Sequence, residues 1–470
     1  MHTLVMKFGG SSIGMTTGLA QMVSVVLHER ERCDQLVLVV AALEGVTDAL
    51  LDAAVLARHS NRRGYRRIVG NLRTRHLALI NHLQLNESDQ AGLQADIDRL
   101  LFEILDLCEA LAEGASDLVH EEALTDAIVG AGERLAARIA AALLRHHQVL
   151  SVAVDATGLI ISDTVHSHAT PDFERSREKC RKLLLPLLER QIVPVVTGFI
   201  AMGIHNLPTT LGRGGGDLTA AVLAVSLDAD EVWLWTNVDG LMTADPHDLP
   251  EAKVIAELSY AEAADLAFFG ARILHARMVQ PLADKQIAIR IRNIYRPQVA
   301  GTRIHAKSSE SAALKVVTGT HGLALSAGNS GPLHEAARRI DDALYELTGS
   351  HVEAVLTAQS AQRSFACFVI PVSAGPEALH GLIRLAQERL VEIAGNPWQI
   401  RAAGVVTVAG AMEGKQAGLL AAALHELDGL RILAVSLNPS GASISLAVEV
   451  PDMPDVLGRL HNLILMDSAS

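Results

Sequence analysis

The chain has 470 residues, which is too long for a single hydrophobic core, so two or three domains are expected. Hydrophobic residues make up 49% of the sequence and charged residues only 20%, a composition that excludes a disordered or fibrous chain. The net charge of −13 and the aromatic content of 3% argue against nucleic-acid binding, because phosphate backbones attract basic faces and unpaired bases stack on aromatic rings.

The N-terminal segment and the cysteine spacing bear on where the protein resides. No long apolar segment follows a basic start, and no run of about 18 apolar residues occurs, so neither a leader nor a membrane span is expected. The four cysteines are scattered without CxxC spacing, which suits a reducing compartment. The 20 histidines lack carboxylates or cysteines at ligand spacing, so we expect no protein metal site. These features predict a cytoplasmic protein.

Residues 1–304 alternate short β-branched segments with long helical patterns, which is typical of an α/β domain with a mostly parallel sheet. The near-continuous apolar character of the strand segments fits strands that helices cover on both faces. The predicted strands span residues 4–8, 36–40, 151–155, 192–197, 231–235 and 287–291. We therefore expect one catalytic domain over residues 1–304.

Two stretches between the predicted strands are helical in pattern. Residues 93–112 place an apolar residue every three or four positions, which predicts an amphipathic helix. Its predicted buried face consists of Leu93, Ile97, Leu100, Leu101, Ile104 and Leu105. Residues 52–98 show helical periodicity and no strand signal, so we expect an inserted helical region there.

After residue 303 the sequence changes character, since residues 305–311 are polar and small, as in a linker. Beyond it, segments 355–369 and 435–448 resemble each other at a separation of about 80 residues. In each copy a helix precedes two strands and a second helix follows; the predicted helices are 333–347 and 378–394 in the first copy, 418–427 and 454–464 in the second. Both copies predict a β-α-β-β-α-β module of the ferredoxin-like type, at residues 312–395 and 398–470, and the modules are either consecutive or nested with one strand borrowed from the other. The alternative is two unrelated α+β segments that align by chance.

The first candidate site motif is Lys7 followed by Gly9-Gly10-Ser11-Ser12, at the end of the first predicted strand. The pattern matches neither the Walker nor the Rossmann glycine spacing. Two glycines nevertheless let backbone N–H groups approach an anion, and a lysine ammonium adds a positive charge. An ordinary β-turn would give the same pattern, so this motif alone leaves both interpretations open.

The second motif is the glycine-rich stretch 209–219, TTLGRGGGDLT, which opens an apolar helix at 220–227. Three consecutive glycines, 214–216, would expose N–H groups at the positive end of that helix. Arg213 can form paired hydrogen bonds with a substrate carboxylate. Asp217 falls near the N-cap, where a carboxylate is commonly only structural. Three glycines, an arginine and an aspartate in one loop favour a functional site.

A third motif follows the strand predicted at 231–235. Residues 235–246, WTNVDGLMTADP, end this strand and then turn. The motif lies at the carboxyl edge of a parallel sheet, where ligands of open α/β folds bind. By itself, the Asp-Pro pair at 245–246 indicates only a turn.

The chain resembles the aspartokinase family over nearly its whole length. The motifs that carry the resemblance are residues 7–12 (KFGGSS), 45–47 (GVT), 132–134 (GER), 209–217, 236–246, 258–260 (LSY) and 269–275 (FGARILH). The repeated C-terminal modules are similar to that family's paired ACT domains. The resemblance implies an amino-acid kinase fold followed by two ferredoxin-like ACT modules. It also implies phosphorylation of the β-carboxylate of L-aspartate by MgATP, the first step of lysine, threonine and methionine biosynthesis.

The resemblance also implies roles for individual residues. Lys7 would neutralise the transferring phosphoryl group, and Asp217 would order that lysine. Thr47, Glu133 and Arg213 would hold aspartate, with Glu133 on its ammonium and Arg213 on its α-carboxylate. The implied phosphate and nucleotide contacts are Lys7, Phe8, Gly9, Gly10, Ser11, Thr236, Asn237, Met242, His247 and Arg272.

The sequence departs from the family pattern mostly on the nucleotide side. The departures are Ala41 and Gly216 in place of serine, Asn237 of aspartate, Met242 of tyrosine, His247 of arginine and Arg272 of lysine. Arg272 keeps a positive charge, and Met242 still supplies apolar surface for an adenine, whereas Asn237 removes a carboxylate. These changes bear on ATP affinity more than on phosphoryl transfer.

Two alternatives to an aspartate kinase remain at this point. One is another carboxylate, carbamate or nucleotide kinase of the same superfamily, against which the paired modules and the Glu133/Arg213 pair argue. The other is a catalytically weak amino-acid sensor, supported only by the nucleotide-side departures.

Regulation is expected in the C-terminal modules. Asn329 and Ser330 lie in a glycine-flanked loop before a predicted helix, where an effector amino acid, lysine or threonine, would bind. ACT modules pair edge to edge, so the resemblance implies a homodimer or homotetramer. The alternative is that both modules serve only dimerisation.

Overall fold

The architecture is that of a computed structural model, which describes residues 2–114, 117–268, 274–306, 314–328, 333–348, 354–360, 362–369, 381, 383–388, 398–410, 415–437 and 442–467. The chain divides into two compact units. The first unit comprises Met1–Leu241 and Arg277–Lys307, and the second comprises Met242–Ala276 and Ser308–Ser470. The first unit therefore lacks a segment, 242–276, that the sequence places within the catalytic domain.

The elements of both units follow in chain order. The strands are β1 (Thr3–Phe8), β2 (Gln35–Val40), β3 (Ser151–Val154), β4 (Ile161–Ser162), β5 (Val193–Thr197), β6 (Ile200–Gly203), β7 (Pro208–Thr210), β8 (Glu231–Thr236), β9 (Glu257–Ser259), β10 (Ala288–Asn293), β11 (Thr302–His305), β12 (Val316–Gly328), β13 (Ala354–Gln359), β14 (Arg363–Val369), β15 (Trp398–Ala409), β16 (Ile432–Leu437) and β17 (Ser443–Val448). The helices are α1 (Gly10–Ile13), α2 (Thr16–Arg30), α3 (Val46–Arg58), α4 (Arg62–His82), α5 (Glu87–Glu113), α6 (Leu118–Val129), α7 (Ala131–His146), α8 (Phe173–Glu189), α9 (Gly215–Leu227), α10 (Tyr260–Phe268), α11 (Ala276–Asp284), α12 (Leu333–Thr348), α13 (Gln416–Glu426) and α14 (Met453–Asp467). Across the described part of the chain, no helix combines the length and apolar character that crossing a bilayer requires.

Seven strands of the first unit form one sheet in the order β3-β5-β2-β1-β8-β10-β11. Neighbouring strands are parallel except β10 and β11, which are antiparallel. Every residue of β2 and β5 is buried, as expected for strands with helices on both faces. Each predicted strand of this domain is present, with ends shifted by one or two residues at most. The carboxyl ends of β1, β2, β5 and β8 therefore meet at one edge of the sheet.

The inserted helical region is present as helices α3, α4 and α5. Helix α5 begins before the predicted residue 93, because the Asn86 side chain caps its first turn by accepting a hydrogen bond from the Asp89 N–H at 2.9 Å. The predicted apolar face is buried at Leu93, Ile97, Leu100, Leu101 and Ile104 and partly buried at Leu105. Amphipathic periodicity was therefore a sufficient guide to this region.

The second unit contains a six-stranded antiparallel sheet in the order β13-β14-β12-β15-β17-β16. Apolar residues of α12 and of segment 383–388 pack on the β12–β14 part. Apolar residues of α13 and α14 pack on the β15–β17 part. This helix-on-sheet arrangement, repeated twice, is the ferredoxin-like pattern predicted from the repeat.

Strands β12 and β15 are shared between the two modules. They pair along their whole length, from Val316 opposite Ala409 to Ala327 opposite Trp398. Strand β14 borders only residues 322–328 of β12, and β17 borders only residues 404–409 of β15. The first half of β12 lies beside residues 404–409 of β15, and α14 continues to Asp467. Strand β12 thus contributes its first half to the part of the sheet beside β15 alone and its second half to the part between β15 and β14.

Candidate active site

Lys7 and Asp217 form an ion pair at the carboxyl edge of the first unit's sheet. The Nζ–Oδ1 distance is 2.6 Å, and the two side chains are 18% and 11% exposed. Lys7 lies near the end of β1, and Asp217 lies in the first turn of α9. A Cβ atom on Gly216 would lie 3.3 Å from the lysine Cε, whereas one on Gly9 would lie 3.8 Å from its Nζ. Backbone without side chains therefore surrounds the ammonium group on two sides.

The diglycine motif forms a short helix rather than a β-turn. Gly9 precedes α1, and its carbonyl accepts hydrogen bonds from the N–H groups of Ser12 and Ile13. A Cβ on Gly10 would lie 2.5 Å from the Ala42 carbonyl oxygen, so only glycine fits there. Ser12 Oγ donates to the carbonyl of Trp235 at 3.0 Å, which ties the motif to the end of β8.

Phe8 and Ser11, two implied phosphate contacts, differ in the exposure of their side chains to solvent. Phe8 is fully buried, and its ring stacks on Trp235 with centroids 6.3 Å apart. Ser11 is exposed beside the diglycine. The Phe8 side chain belongs to the core, so only its backbone is available to a ligand.

Glu133 is a buried carboxylate at the start of α7. Its Oε1 accepts a hydrogen bond from the Ala42 N–H at 3.2 Å, and its buried Oε2 finds no hydrogen-bond partner among the described residues. Burial raises the pKa of Glu133 to about 8, and the Ala42 N–H opposes this rise. An ammonium group would satisfy both the free oxygen and the charge.

Thr47 and Arg213 lie on loops that contain left-handed glycines. Thr47 is half-buried in the first turn of α3, two residues after Gly45, which has φ +72°. Arg213 is exposed between Gly212 at φ +73° and Gly214 at φ +72°, and it forms no ion pair within the described part of the chain. Any residue other than glycine would be strained at these three positive-φ positions. The arginine is thus presented on a defined loop, with its charge free for a ligand.

The Glu133 and Thr47 segments are in direct contact. A Cβ added to Gly132 would lie 2.8 Å from the Cβ of Ala42 and 3.2 Å from Cγ1 of Val46. The start of α7 therefore packs closely against the turn that precedes Thr47. The structure brings Thr47 and Glu133 to the same part of the first unit.

Thr236 and Asn237 follow β8 at the same sheet edge. Thr236 Oγ1 donates to Asn237 Oδ1 at 3.3 Å, and the Thr236 carbonyl accepts from the Ile294 N–H at 2.9 Å. Asn293 Nδ2 donates to the Asn237 carbonyl at 3.4 Å and to Asp239 Oδ1 at 2.7 Å. The backbone after β8 is therefore fixed by β10 through Asn293.

Met242 and His247 belong to the second unit. Met242 is half-buried and forms an isolated β-bridge with Val254. His247 is exposed, and its N–H donates to Asp245 Oδ1 at 2.9 Å. Arg272, Asn329 and Ser330 lie outside the described residues.

Sequence reasoning missed Gly198 and Phe199, which follow β5 at the same edge. Phe199 has φ +69°, which is rare for a bulky residue, and its N–H donates to Thr219 Oγ1 at 3.0 Å. A Cβ on Gly198 would lie 3.0 Å from the Gly216 Cα. Their position directly after a predicted parallel strand was the available signal. They set how closely β5 approaches the glycine-rich loop.

The site has the chemistry of an anion and amino-acid site. In the ranges that the structure describes, no group of three or more His, Cys, Asp or Glu residues is arranged to hold a metal ion. A lysine ammonium, glycine-lined backbone and the N-terminus of α9 favour phosphate. A buried carboxylate and an exposed arginine suit the two charged ends of an α-amino acid.

Comparison with known proteins places the chain in a family. Residues 2–293 match the model of the amino acid kinase family, so the chain belongs to that family. The parallel sheet with its edge site is thus the fold predicted from the sequence. The six-stranded antiparallel sheet of the second unit is likewise consistent with paired ACT domains.

The relatives are aspartokinases. The chain is 30% identical over 408 residues to a bifunctional aspartokinase/homoserine dehydrogenase of Arabidopsis thaliana, covering 83% of this chain and 43% of that protein. It is 31% identical over 305 residues to the lysine-sensitive aspartokinase 3 of Escherichia coli, covering 65% of this chain and 64% of that protein. The chain therefore spans less than half the length of the bifunctional plant relatives.

Solved aspartokinase structures match the chain over nearly its whole length. E. coli aspartokinase III in complex with aspartate and ADP matches with a TM-score of 0.80 and 25% identity, over 98% of this chain and 99% of that chain. Clostridium acetobutylicum aspartate kinase matches with a TM-score of 0.73 and 20% identity, over 98% and 100% of the two chains. The second match bears on the fold alone. The match to the E. coli structure and the relatives above confirm the predicted resemblance to aspartokinases.

Proposed function

We propose that this protein is an aspartate kinase, which transfers the γ-phosphoryl group of ATP to the β-carboxylate of L-aspartate. The observation that carries the proposal is the combination of two features at one sheet edge of the first unit. The Lys7–Asp217 ion pair beside glycine-lined backbone suits a transferring phosphoryl group. The buried Glu133, with one oxygen unpaired among the described residues, suits a substrate ammonium. The aspartokinase relatives support the same assignment.

The transfer needs no general base. A free carboxylate has a pKa of about 4 and is already ionised at neutral pH. The protein must therefore position the acceptor in line and stabilise charge. MgATP would supply the phosphoryl group and the metal charge that accompanies it. Lys7 supplies a positive charge beside the transferring phosphoryl group, and Asp217 holds the lysine ammonium in place.

Aspartate is held at its two charged ends in this proposal. Glu133 accepts the ammonium at its unpaired oxygen, and Arg213 binds the α-carboxylate through its planar guanidinium. Thr47 contributes a hydroxyl from the turn next to Glu133. The β-carboxylate is then left free as the acceptor.

The nucleotide side rests on the diglycine motif and the end of β8. Phe8, Gly9, Gly10 and Ser11 would contact the phosphates, and Thr236 and Asn237 would contact the nucleoside. Met242, His247 and Arg272 stay proposed nucleotide contacts. Mg²⁺ would accompany the ATP phosphates, since this ion is usually bound by substrate phosphates, water and one or two carboxylates.

Regulation and assembly complete the proposal. Residues 1–304 would form the catalytic domain, and residues 312–395 and 398–470 the two ACT modules. These would bind lysine or threonine, with Asn329 and Ser330 as contacts, and would pair into a homodimer or homotetramer. The relative named as a lysine-sensitive aspartokinase supports an amino-acid effector. A reducing compartment such as the cytoplasm suits the four free cysteines.

A hydroxamate assay tests the proposal. The protein is incubated with L-aspartate, ATP, Mg²⁺ and hydroxylamine, which traps an acyl phosphate. We expect hydroxamate with the wild-type protein and a loss of about 10²–10³ in rate for Lys7→Ala. Lys285→Ala, an exposed lysine of the first unit, is the matched control and should retain activity.

The other outcomes of this assay favour the alternatives. Hydroxamate formed from another carboxylate but not from aspartate would indicate a different kinase of the superfamily. Binding of an amino acid without any turnover would indicate a sensor. Activity of Lys7→Ala above about a tenth of the wild-type value would show that Lys7 is structural.

A further inference from the structure

A buried carboxylate outside the candidate active site joins two loops of the first unit. Asp126, on α6, accepts a hydrogen bond from Thr210 Oγ1 at 2.7 Å on its Oδ1. Its Oδ2 lies 2.9 Å from Nδ1 of His166 and accepts from the Ser167 N–H at 3.1 Å. The side chains of Asp126 and His166 are each only 3% exposed. One carboxylate thus binds the end of β7 to the loop that contains residues 166–167.

Arg277 joins the same two loops at a second point. Its guanidinium donates to the carbonyl oxygens of Leu211 and Ala169, both at 2.8 Å. The Ala169 N–H in turn donates to the Thr210 carbonyl at 2.9 Å. The segments 166–169 and 210–211 are therefore connected by side chains on both sides and by backbone between them.

The Arg213 loop rests directly on this assembly. Gly212 has φ +73°, and a Cβ on it would lie 2.8 Å from the Ser167 carbonyl oxygen and 3.0 Å from Cδ2 of His168. The Gly212 backbone therefore lies so close to residues 167–168 that only glycine fits there. The position of Arg213, the next residue, consequently depends on where residues 166–169 are held.

Asp126 is also connected to Glu133, through the backbone at the junction between α6 and α7. Its main-chain carbonyl accepts a hydrogen bond from the Gly130 N–H at 2.9 Å, at the junction between α6 and α7. A Cβ on Gly130 would lie 2.4 Å from Cγ2 of Ile200, so this junction is closely packed and only glycine fits there. Glu133 follows within the first turn of α7. The Asp126 side chain therefore fixes the Arg213 loop while its backbone fixes the helix that carries Glu133.

We propose that Asp126 is a positioning residue that sets the separation between Glu133 and Arg213, and hence the fit of the amino-acid substrate. The inference rests on the proposed function, in which these two residues hold the ammonium and the α-carboxylate. Asp126 does not touch the substrate. It acts through Thr210 and the 166–169 loop, with Arg277 as a second support. Its loss should therefore affect aspartate binding and not ATP binding.

Kinetics of isosteric variants test the inference. Asp126→Asn keeps the volume but replaces one acceptor oxygen by an amide nitrogen, which can only donate. Thr210→Val removes only the hydroxyl, and Thr210→Ser restores it. We expect Asp126→Asn and Thr210→Val to raise KM for aspartate about tenfold or more, with KM for ATP and kcat changed less than about threefold. Thr210→Ser should recover most of the wild-type KM.

The control is Ser162→Ala, which removes another buried hydroxyl pair in the same region, Ser162 Oγ to Thr209 Oγ1 at 2.7 Å, without involving Asp126. It should leave KM for aspartate within about twofold. Equal increases of both KM values in Asp126→Asn, or an increase in Ser162→Ala as large as in Thr210→Val, would overturn the inference. If Asp126→Asn fails to fold, the two Thr210 variants decide.

Calorimetry with aspartate alone separates this inference from the proposed function. The dissociation constant should rise by the same factor as KM in Asp126→Asn and Thr210→Val. A wild-type protein that binds aspartate but does not phosphorylate it would refute the proposed kinase activity, and the dissociation constants of the variants would still decide the role of Asp126. A wild-type protein that does not bind aspartate would refute both.

Discussion

Glu133 links substrate binding to pH at the scale of a single residue. Burial raises its pKa to about 8, so near neutral pH the free protein holds this carboxyl largely protonated. A substrate ammonium can pair only with the ionised form. Binding of aspartate therefore requires that the proton leave Glu133.

We expect KM for aspartate to fall as the pH rises from about 6.5 to about 8.5. The fraction of ionised Glu133 increases up to about tenfold per pH unit below its pKa, and the affinity for the ammonium follows it. The measurement is KM for aspartate and for ATP across this range. KM for ATP serves as the control, and a KM for aspartate that does not change with pH would contradict the assignment.

Glu133→Gln should change how stability depends on pH. The folded pKa of about 8 exceeds the ordinary value of 4.5, so the folded protein binds more protons than the unfolded chain between these values. Stability from this group is therefore present below about pH 4.5 and is lost as the pH rises through 8. Glutamine does not ionise and still accepts from the Ala42 N–H.

The wild-type protein should therefore lose about 1–3 kcal/mol of unfolding free energy between pH 6 and pH 9 that Glu133→Gln does not lose. Urea unfolding of both proteins at the two pH values measures this difference. Equal pH dependence in the two proteins would mean that Glu133 does not carry a buried charge at pH 9.

Part of the site could be predicted from the sequence, because strand and helix ends follow from local sequence patterns. Lys7 ends a parallel strand, and Asp217 follows a glycine run that opens a helix, so the sheet-edge rule brings them together. The left-handed backbone of Phe199 could not be predicted, because its N–H donates to Thr219 Oγ1, a tertiary contact 20 residues away in sequence. Tertiary contacts decide such residues.

At the scale of elements, the repeat predicted the two modules but not how they share strands. Helix and strand order within each copy follows from local periodicity. The pairing of Val316 with Ala409 joins residues far apart in sequence, and nothing in the local pattern specifies it. The long strands β12 and β15 therefore hold both modules in one sheet.

Two glycines of β12 give a matched test of this sheet. A Cβ on Gly322 would lie 2.5 Å from the Phe368 carbonyl oxygen of β14, a backbone atom that cannot yield without disturbing the pairing. A Cβ on Gly319 would meet the side chain of Leu457, whose nearest atom is Cδ1 at 2.9 Å, so a flexible side chain rather than backbone must yield. We expect Gly322→Ala to lose about 1–3 kcal/mol of unfolding free energy and Gly319→Ala clearly less. Urea unfolding measures both, and equal losses would contradict the strand arrangement.

At the scale of the whole molecule, the division into units differs from the division that the sequence suggested. Segment 242–268 follows the first unit's β8 in sequence, yet it packs within the second unit. Lys315 and Glu262 form a fully buried ion pair at 3.1 Å, and the Val317 N–H donates to the Thr243 carbonyl at 2.8 Å. Hydrophobic periodicity identifies elements but not which unit they join, so the sequence could not show this.

This placement has a consequence for regulation. Met242 and His247, two proposed nucleotide contacts, belong to the same unit as the ACT modules, whereas Glu133 and Arg213 belong to the first unit. The segment that carries Met242 is bound to the C-terminal helix α14, because Thr243 Oγ1 lies 2.8 Å from Nε2 of the buried His461. An effector that changes the second unit should therefore act on the proposed contacts Met242 and His247, which belong to that same unit.

We accordingly expect lysine or threonine, whichever binds, to raise KM for ATP more than KM for aspartate. Linkage requires the converse, so a non-hydrolysable ATP analogue should weaken effector binding by the same factor, about fivefold or more, while aspartate alone weakens it less. Calorimetry with each amino acid, with and without the analogue, measures the coupling. Thr243→Val should keep effector binding and reduce the effect on KM for ATP, since it removes the hydroxyl bonded to His461. An effector that raises KM for aspartate alone, or that acts equally on wild type and Thr243→Val, would contradict this route.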